Sequence, residues 1–289
     1  MYQDYCGCYQ YPSLEGAVTE EKKQFSCRLT MKRAVKFSST GNNTVSALLI
    51  ILIVCYMVKL SWTSDSDITL DMATNSVDDQ FIGCENDTYN KIINETLQEE
   101  LLLDVDFEKT WKRYNNITNY FQRIIKVYTD PRGSYQKLNN AVSSGRLRYK
   151  DDFNYNAYHF FLTRTIQMYQ VKNCTDVFRR TKIPFNSAVR GQEIRFGRFA
   201  SASFFYNLTH FGGISCFNIT TCLGADISTR STLSQEKEVL IPPYEKFKIT
   251  NIVENEIDCK IIYTLKSAGN FSNMNCELAN KNVSKTQIV

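Results

Sequence analysis

From Asp176 onward the hydrophobic period of this chain changes, and that change limits its architecture more than any other feature. Upstream, apolar residues recur every three or four positions. Residues 89–103 carry Ile92, Ile93, Leu97 and Leu101 in this pattern, and residues 107–128 carry Trp111, Tyr114, Ile117, Phe121, Ile124, Ile125 and Tyr128. That spacing lines one face of a helix. Pro131-Arg132-Gly133 ends the second segment. A short helix is predicted over 135–142 and a fourth over 155–171, with Tyr158, Phe161, Leu162, Thr165, Ile166 and Tyr169 on its inner side. Downstream the period is two, and strands are predicted over 176–181, 195–205, 214–221, 237–241, 247–253 and 257–265. Helices first and strands later, with no helix between strands, exclude a doubly wound parallel sheet. They predict an α+β domain whose sheet is largely antiparallel. The 18 Phe and 17 Tyr are dispersed along the chain and predict one large core rather than two domains.

Residues 45–58, VSALLIILIVCYMV, form a run of 14 without a charge. A spanning helix needs about 20 residues, whereas the core of a signal peptide is this long. Lys32, Arg33 and Lys36 precede the run, and residues 61–90 contain acidic residues and neither Lys nor Arg. The asymmetry places the N-terminus in the cytoplasm and the rest outside. The expected organisation is a leader or cytoplasmic tail (1–44), a signal core or signal anchor (45–60) and an exported domain (61–289). Cleavage near Trp62 gives a secreted protein; retention gives a type II single-pass anchor, with Lys59 snorkelling at its far edge. Met31 is an alternative start, because MKRAVKF followed by the apolar run is itself a complete signal. The last thirteen residues are polar, so no lipid anchor is expected at the C-terminus.

Six cysteines follow the apolar run: Cys84, Cys174, Cys216, Cys222, Cys259 and Cys276. Outside the cytosol an even number predicts three disulfides, with fifteen pairings open. Cys6, Cys8, Cys27 and Cys55 lie in the leader or the apolar run. Sequons begin at Asn86, Asn94, Asn116, Asn173, Asn207, Asn218, Asn270 and Asn282, again in keeping with export; Asn218 falls inside a predicted strand. The only histidines are His159 and His210, and no Cys pair has zinc spacing, so no metal is expected. A net charge of +4 from 34 basic and 30 acidic residues, without a basic cluster, is weak evidence for nucleic-acid binding, and no nucleic-acid partner is expected.

The segment most informative for chemistry is 228–245, STRSTLSQEKEVLIPPYE. Glu236 and Glu238 are two apart, so on an extended strand both carboxylates face the same way. Like charges held together raise the cost of ionising both. Such a pair suits a reaction that stabilises positive charge with one carboxylate and handles a proton with the other. The Ser/Thr-rich stretch before them forms a plausible rim, and Pro242-Pro243 closes the strand. Arg179 and Arg180 occupy a predicted strand, where one arginine can hold phosphates bidentately. Gly191 and Gly197 bracket a loop without Walker or dinucleotide-fold spacing, and Ser201 and Ser203 lack an elbow motif or a nearby His. His159, on the fourth helix, reads as a packing residue.

Together these segments resemble the arginine-specific mono-ADP-ribosyltransferases of vertebrate cell surfaces and secretions. The resemblance runs from Asp78 to Cys276 through DDQFIGC (78–84), KVYT (126–129), YHFFLTR (158–164), VFRRTK (177–182), IRFGRFASAS (194–203), TTCLGADI (220–227) and EKEVLIPPYEKF (236–247). It implies a helical N-terminal part packed on two small, mainly antiparallel sheets with an NAD cleft between them. The family's arginine-serine-glutamate signature maps onto Arg179, Ser201 and Glu238, and its two-glutamate motif onto Glu236-Lys237-Glu238. In the family the arginine holds the NAD phosphates and the serine positions the catalytic glutamate. Tyr128 matches a tyrosine bordering the dinucleotide site. Arg198, where the family often has Gln, joins Arg179, Ser201 and Tyr128 as a cofactor-binding candidate. Disulfides Cys84–Cys276 and Cys174–Cys222 carry over from the family, and Cys216 and Cys259 are expected to bond across neighbouring strands. One departure bears on the pocket. The family has Gly after the signature arginine, so Arg180 has to swing outward or crowd the NAD site.

The resemblance implies transfer of ADP-ribose from NAD, as co-substrate and without a metal, to arginine side chains of extracellular or secretory-pathway proteins. A monomer is expected. The alternatives are an exported disulfide-bonded binding protein that has lost turnover, and an NAD glycohydrolase with water as acceptor.

Overall fold

The computed structural model describes residues 68–149, 151–185 and 190–279. The chain divides into two units, 1–66 and 67–289, and every described residue belongs to the second. The apolar run, the four leader cysteines and Asn282 therefore lie outside the described residues. Among the described residues no helix is long and apolar enough to cross a membrane.

The helical part comes first. α1 (Glu85–Lys91) passes through a π-helical turn, Ile92–Thr96, into α2 (Leu97–Leu103). Asp104 ends α2 and caps α3 (Val105–Arg113), its carboxylate accepting from the Asp106 and Phe107 amides at 2.9 and 3.2 Å. The single helix predicted over 107–128 is two. Asn119 caps α4 (Tyr120–Thr129), accepting from the Gln122 amide, and Arg123 reaches back to the Ile117 and Asn115 carbonyls at 2.7 and 2.8 Å. Those bonds satisfy the connecting loop, so the break costs little polar burial. α5 (Tyr135–Ser144) and α6 (Asn156–Met168) follow. α6 is buried almost all round. The fully buried Glu100 accepts from the Ala157 and Tyr158 amides at its N-terminus, and burial pushes the Glu100 carboxyl up to about 8. His159 is fully buried on α6 with Nε2 3.2 Å from the Val77 carbonyl, and burial lowers it to about 3. It is a neutral packing residue.

Among the described residues eight strands follow: β1 (Thr175–Thr181), β2 (Glu193–Arg195), β3 (Ala200–Ser203), β4 (Ser215–Thr221), β5 (Ala225–Asp226), β6 (Glu238–Ile241), β7 (Glu245–Glu256) and β8 (Cys259–Asn270). The order is β2-β7-β8-β4-β1-β3-β6-β5, antiparallel except for the parallel β4–β8 pair. The two small sheets implied by the resemblance are thus joined into one. The joint is slight: β1 and β3 share a single register pair, Phe178↔Ser203. The predicted strand 195–205 is divided, because Gly197 turns the chain at φ +61°, where a side chain would strike Ala73 at 2.3 Å. β5 is too short to show a period and was not foreseen.

Two clusters of buried apolar residues replace the one large core expected. One joins the helices to Phe199, Ala225, Ile227 and Leu240; the other packs Ala200, Ala202, Val239 and Ile241 against Val177, Phe217, Phe247, Tyr263 and Leu265. The β3–β6 half therefore lies between the helices on one side and the larger half of the sheet on the other, following the strand alternation. All three disulfides form as expected: Cys84–Cys276, Cys174–Cys222 and Cys216–Cys259, the last between neighbouring strands β4 and β8.

Candidate active site

Register places the site. Ser201 pairs with Leu240, and Ser203 with Glu238, so these four side chains share the face of β3–β6 that looks toward the helices. The strands β1 and β3 part beyond their one register pair, and Arg179 on β1 bridges the opening, donating from Nη1 to the Ser201 carbonyl at 2.5 Å. Glu238, 6% exposed, opens β6 beside them. Its Oε2 accepts from the Ser231 hydroxyl at 3.3 Å, and the Ser201 hydroxyl is also within hydrogen-bonding reach. Burial pushes the Glu238 carboxyl up to about 7. Glu236 adds to that rise, and the Ser201 and Ser231 hydroxyls with Arg179 oppose it. Burial lowers the Arg179 guanidinium, with Arg198 acting in the same direction; Tyr128 and Glu238 oppose them. Burial likewise lowers Arg198. Two partly buried cations with few acidic partners favour an anionic ligand between them.

The two glutamates do not share a strand, which corrects the expectation from their spacing. Glu236 closes a 3-10 turn, Ser234–Glu236; Lys237 is left-handed at φ 48°; and only Glu238 is extended. The strand alternation argument does not apply across such a turn. The carboxyls nevertheless act on each other, since Glu236 helps raise Glu238. Burial raises Glu236 as well, opposed by His210. The turn is pinned from below: the Ser203 hydroxyl donates to the Glu236 carbonyl at 2.6 Å, and the Phe204 amide to the Lys237 carbonyl at 3.1 Å.

Tyr128 is 4% exposed, and its hydroxyl donates to the Phe199 carbonyl at 3.0 Å while accepting from Asn139 Nδ2 at 3.0 Å; the Phe199 amide donates to Asn139 Oδ1. This triangle ties the entry to β3 to α4 and α5. Burial pushes its hydroxyl well above the ordinary phenol range, and it stays protonated. The loop before Glu236 is tied to α4 as well: Thr232 bonds Thr129 through amide and hydroxyl, and Lys126 Nζ donates to the Ser231 carbonyl at 3.1 Å. Sequence marks neither Ser231 nor Asn139 individually, and Ser203 only as a serine without an elbow motif or a nearby His. Ser231 lies within the Ser/Thr-rich rim, but nothing in the local pattern distinguishes Asn139.

Arg180 swings outward. It alternates away from Arg179 on β1, and its guanidinium donates to the carbonyls of Gly212, Tyr206, Ile257 and Asp258 at 3.0 to 3.1 Å. It does not crowd the site. Arg180→Gly is expected to leave NAD affinity within about twofold and to lower stability by about 2–4 kcal/mol, since hydrogen bonds from a charged group are lost together. Calorimetric NAD titration and thermal melts check this; a marked tightening of NAD binding overturns it. No group of three or more His, Cys, Asp or Glu is placed to hold a metal among the described residues.

Known proteins are similar to this chain in sequence and in fold. The profile of the family described as NAD:arginine ADP-ribosyltransferase matches residues 70–273. The chain is 33% identical over 230 residues to an erythroblast NAD(P)(+)--arginine ADP-ribosyltransferase of Gallus gallus, covering 73% of this chain and 76% of that protein. It is 33% identical over 227 residues to T-cell ecto-ADP-ribosyltransferase 1 of Mus musculus, covering 70% and 76%. A crystal structure of a mutant of the eukaryotic mono-ADP-ribosyltransferase ART2.2 in complex with NADH superposes with a TM-score of 0.61 at 29% identity, over 73% of this chain and 99% of that one. A fold shared over 73% of the chain and a sequence profile spanning the helices and the sheet lead to one conclusion: the chain belongs to the NAD:arginine ADP-ribosyltransferase family.

Proposed function

We propose that the exported domain transfers the ADP-ribosyl group of NAD to arginine side chains of proteins and releases nicotinamide. The observation that carries this reading is Glu238: a buried carboxyl held near pH 7, next to the Arg179 guanidinium and the Ser201 hydroxyl. Cleavage of the bond between ribose C1′ and nicotinamide leaves positive charge on the sugar, and a carboxylate in a dry pocket stabilises it far more than in water. Nicotinamide departs with the bonding electron pair. Arg179 and Arg198 are assigned to the pyrophosphate, Ser201 and Ser231 to orienting Glu238, and Tyr128 to positioning. The acceptor guanidinium is a poor nucleophile while protonated. Glu236 binds it and takes its proton as a guanidino nitrogen forms the new bond to C1′.

Cell-surface or secreted placement is part of this proposal. Six sequon asparagines, Asn86, Asn94, Asn116, Asn173, Asn207 and Asn270, are exposed, and the three disulfides suit an oxidising compartment. Residues 45–58 supply either the signal core or the type II anchor.

The test is NAD consumption by the purified domain with and without an arginine-bearing peptide. Transfer of label to the peptide is expected; consumption without labelled peptide means that water is the acceptor, and no consumption means a binding protein. Glu236→Gln is expected to lower transfer by about 10²-fold while some NAD hydrolysis persists, the range for loss of a proton-handling group. If both activities fall together, Glu236 serves NAD binding or structure instead.

A further inference from the structure

A cavity of about 410 Å³ opens at the C-terminal end of α6 and shares no residue with the site described above. That volume lies within the range of pockets that hold small ligands. Its walls are fixed to one another. Gln167 on α6 donates from Nε2 to the Gln80 carbonyl at 3.0 Å, and Gln170 from Nε2 to the Cys222 carbonyl at 2.9 Å. The Tyr244 hydroxyl is within hydrogen-bonding reach of Gln167. Leu223 is held through its amide, which donates to Glu245 Oε1 at 3.1 Å. Two disulfides brace the surround: Cys84–Cys276, close in sequence to Ile82, and Cys174–Cys222, next to Leu223. A cavity ordered in this way needs little rearrangement to receive a ligand.

The lining names the class of ligand. Gln80, Gln167 and Gln170 bring three side-chain amides, which donate and accept as sugar hydroxyls do. Ile82 and Met168, 57% and 53% exposed, add apolar surface. Arg164 is already engaged by Glu85 at 3.4 Å and by the Gln167 side chain, so an anion has little to gain there. A neutral ligand rich in hydroxyls and carrying a small apolar group, an N-acetylhexosamine, matches this set.

The chain can supply that ligand itself. Asn270 lines the same cavity and begins the sequon Asn270-Phe271-Ser272. Its place is fixed: Asn270 pairs with Glu245 in the β7–β8 ladder, the Phe271 amide donates to the Tyr244 carbonyl at 2.9 Å, and Asn270 Nδ2 donates to Gln80 Oε1 at 3.4 Å. On glycosylation Nδ2 bonds to C1 of the first sugar and gives up one proton, while the diphosphate of the lipid-linked oligosaccharide donor leaves with the bonding pair. The second N–H remains for Gln80, and the sugar starts at the lip of the cavity. A ligand tethered this closely is present at an effective concentration of about millimolar or more, so weak contacts suffice. We infer that the N-acetylglucosamine core of a glycan on Asn270 folds back into this cavity and rests on Met168 and the three glutamines. The inference depends on the export reading above and not on the transfer reading.

The full chain is expressed in mammalian cells, and occupancy of Asn94, Asn116 and Asn270 is read by mass spectrometry. The rate at which a peptide N-glycanase clears each site of the native protein is then measured. Asn94 and Asn116 are exposed and lie outside the cavity. Removal at Asn270 about tenfold slower than at those two is expected, because docking shields the linkage until it opens locally. Met168→Trp, which fills the cavity, is expected to bring the three rates together; Gln170→Ala, at an exposed position, serves should Met168→Trp melt early. An unoccupied Asn270, equal rates in wild type, or slow removal that the variant leaves unchanged overturns the inference. If no sequon carries a glycan, the export reading falls with it, whereas glycans at Asn94 and Asn116 alone reject only the docking.

Discussion

Glu238→Gln is expected to lower both ADP-ribosyl transfer and NAD hydrolysis by about 10²–10⁴-fold, with NAD still bound and the fold intact. The size follows from what the amide keeps and loses. Gln matches Glu in shape and can still accept from Ser231 and Ser201, so packing is retained. It carries no negative charge, and charge stabilisation at the breaking bond is the term of this magnitude. The readouts are label transfer, nicotinamide release and calorimetric NAD affinity. Near-normal turnover removes the role assigned to Glu238.

The same residue sets a pH dependence. Its carboxyl titrates at about 7, above the ordinary value, because burial disfavours the charged form. The ionised form is the one that stabilises positive charge, so kcat/KM for NAD rises with pH through about 7 and then levels. For stability the sign is opposite. A group whose folded pKa is raised contributes fully below its unfolded pKa and loses that contribution as pH climbs through the folded value. The Glu238→Gln variant is therefore expected to lose less stability than wild type between about pH 5 and 8.

The second large effect concerns folding. Asp78→Ala is expected to destabilise the domain by about 3–5 kcal/mol, the cost of stranding a buried charge, and to lower Tm by roughly 10 °C. Asp78 and Arg195 are both fully buried and 2.6 Å apart. Arg195 also donates to the carbonyls of Met72, Phe271 and Ala73, while Asp78 accepts from the Asn273 amide and the Ser272 hydroxyl. The pair therefore holds the segments around 72 and 272 against β2. Replacing both residues together with apolar ones of similar volume, Asp78→Leu with Arg195→Met, is expected to recover much of the loss, because neither charge is then left alone. Melting curves for the single and double variants decide this. Equal loss in both means that the carbonyl bonds of Arg195, more than its pairing, carry the stability.

How far the sequence reached differs from residue to residue. The change from helical to strand period around Thr175 was legible because burial of one face imposes a repeat that the chain must show. Arg179, Ser201 and Glu238 stand out in the sequence because their surrounding phrases resemble a family, and the structure brings the three together. The helix break at Asn119 was not legible, since apolar spacing continues across it and only the bonds of Arg123 to Asn115 and Ile117 make the loop favourable. The relation of Glu236 to Glu238 was drawn from the wrong geometry, because a left-handed residue between them has no periodic signal.

By itself, then, the order of residues determined the α+β class, the three disulfides and the family, all of which depend on local pattern or on kinship. Only the tertiary structure decided where Arg180 points, why Glu238 sits near neutrality and how Asn139 and Tyr128 support β3. Those properties arise from burial and from partners distant in the chain, and neither leaves a trace in spacing.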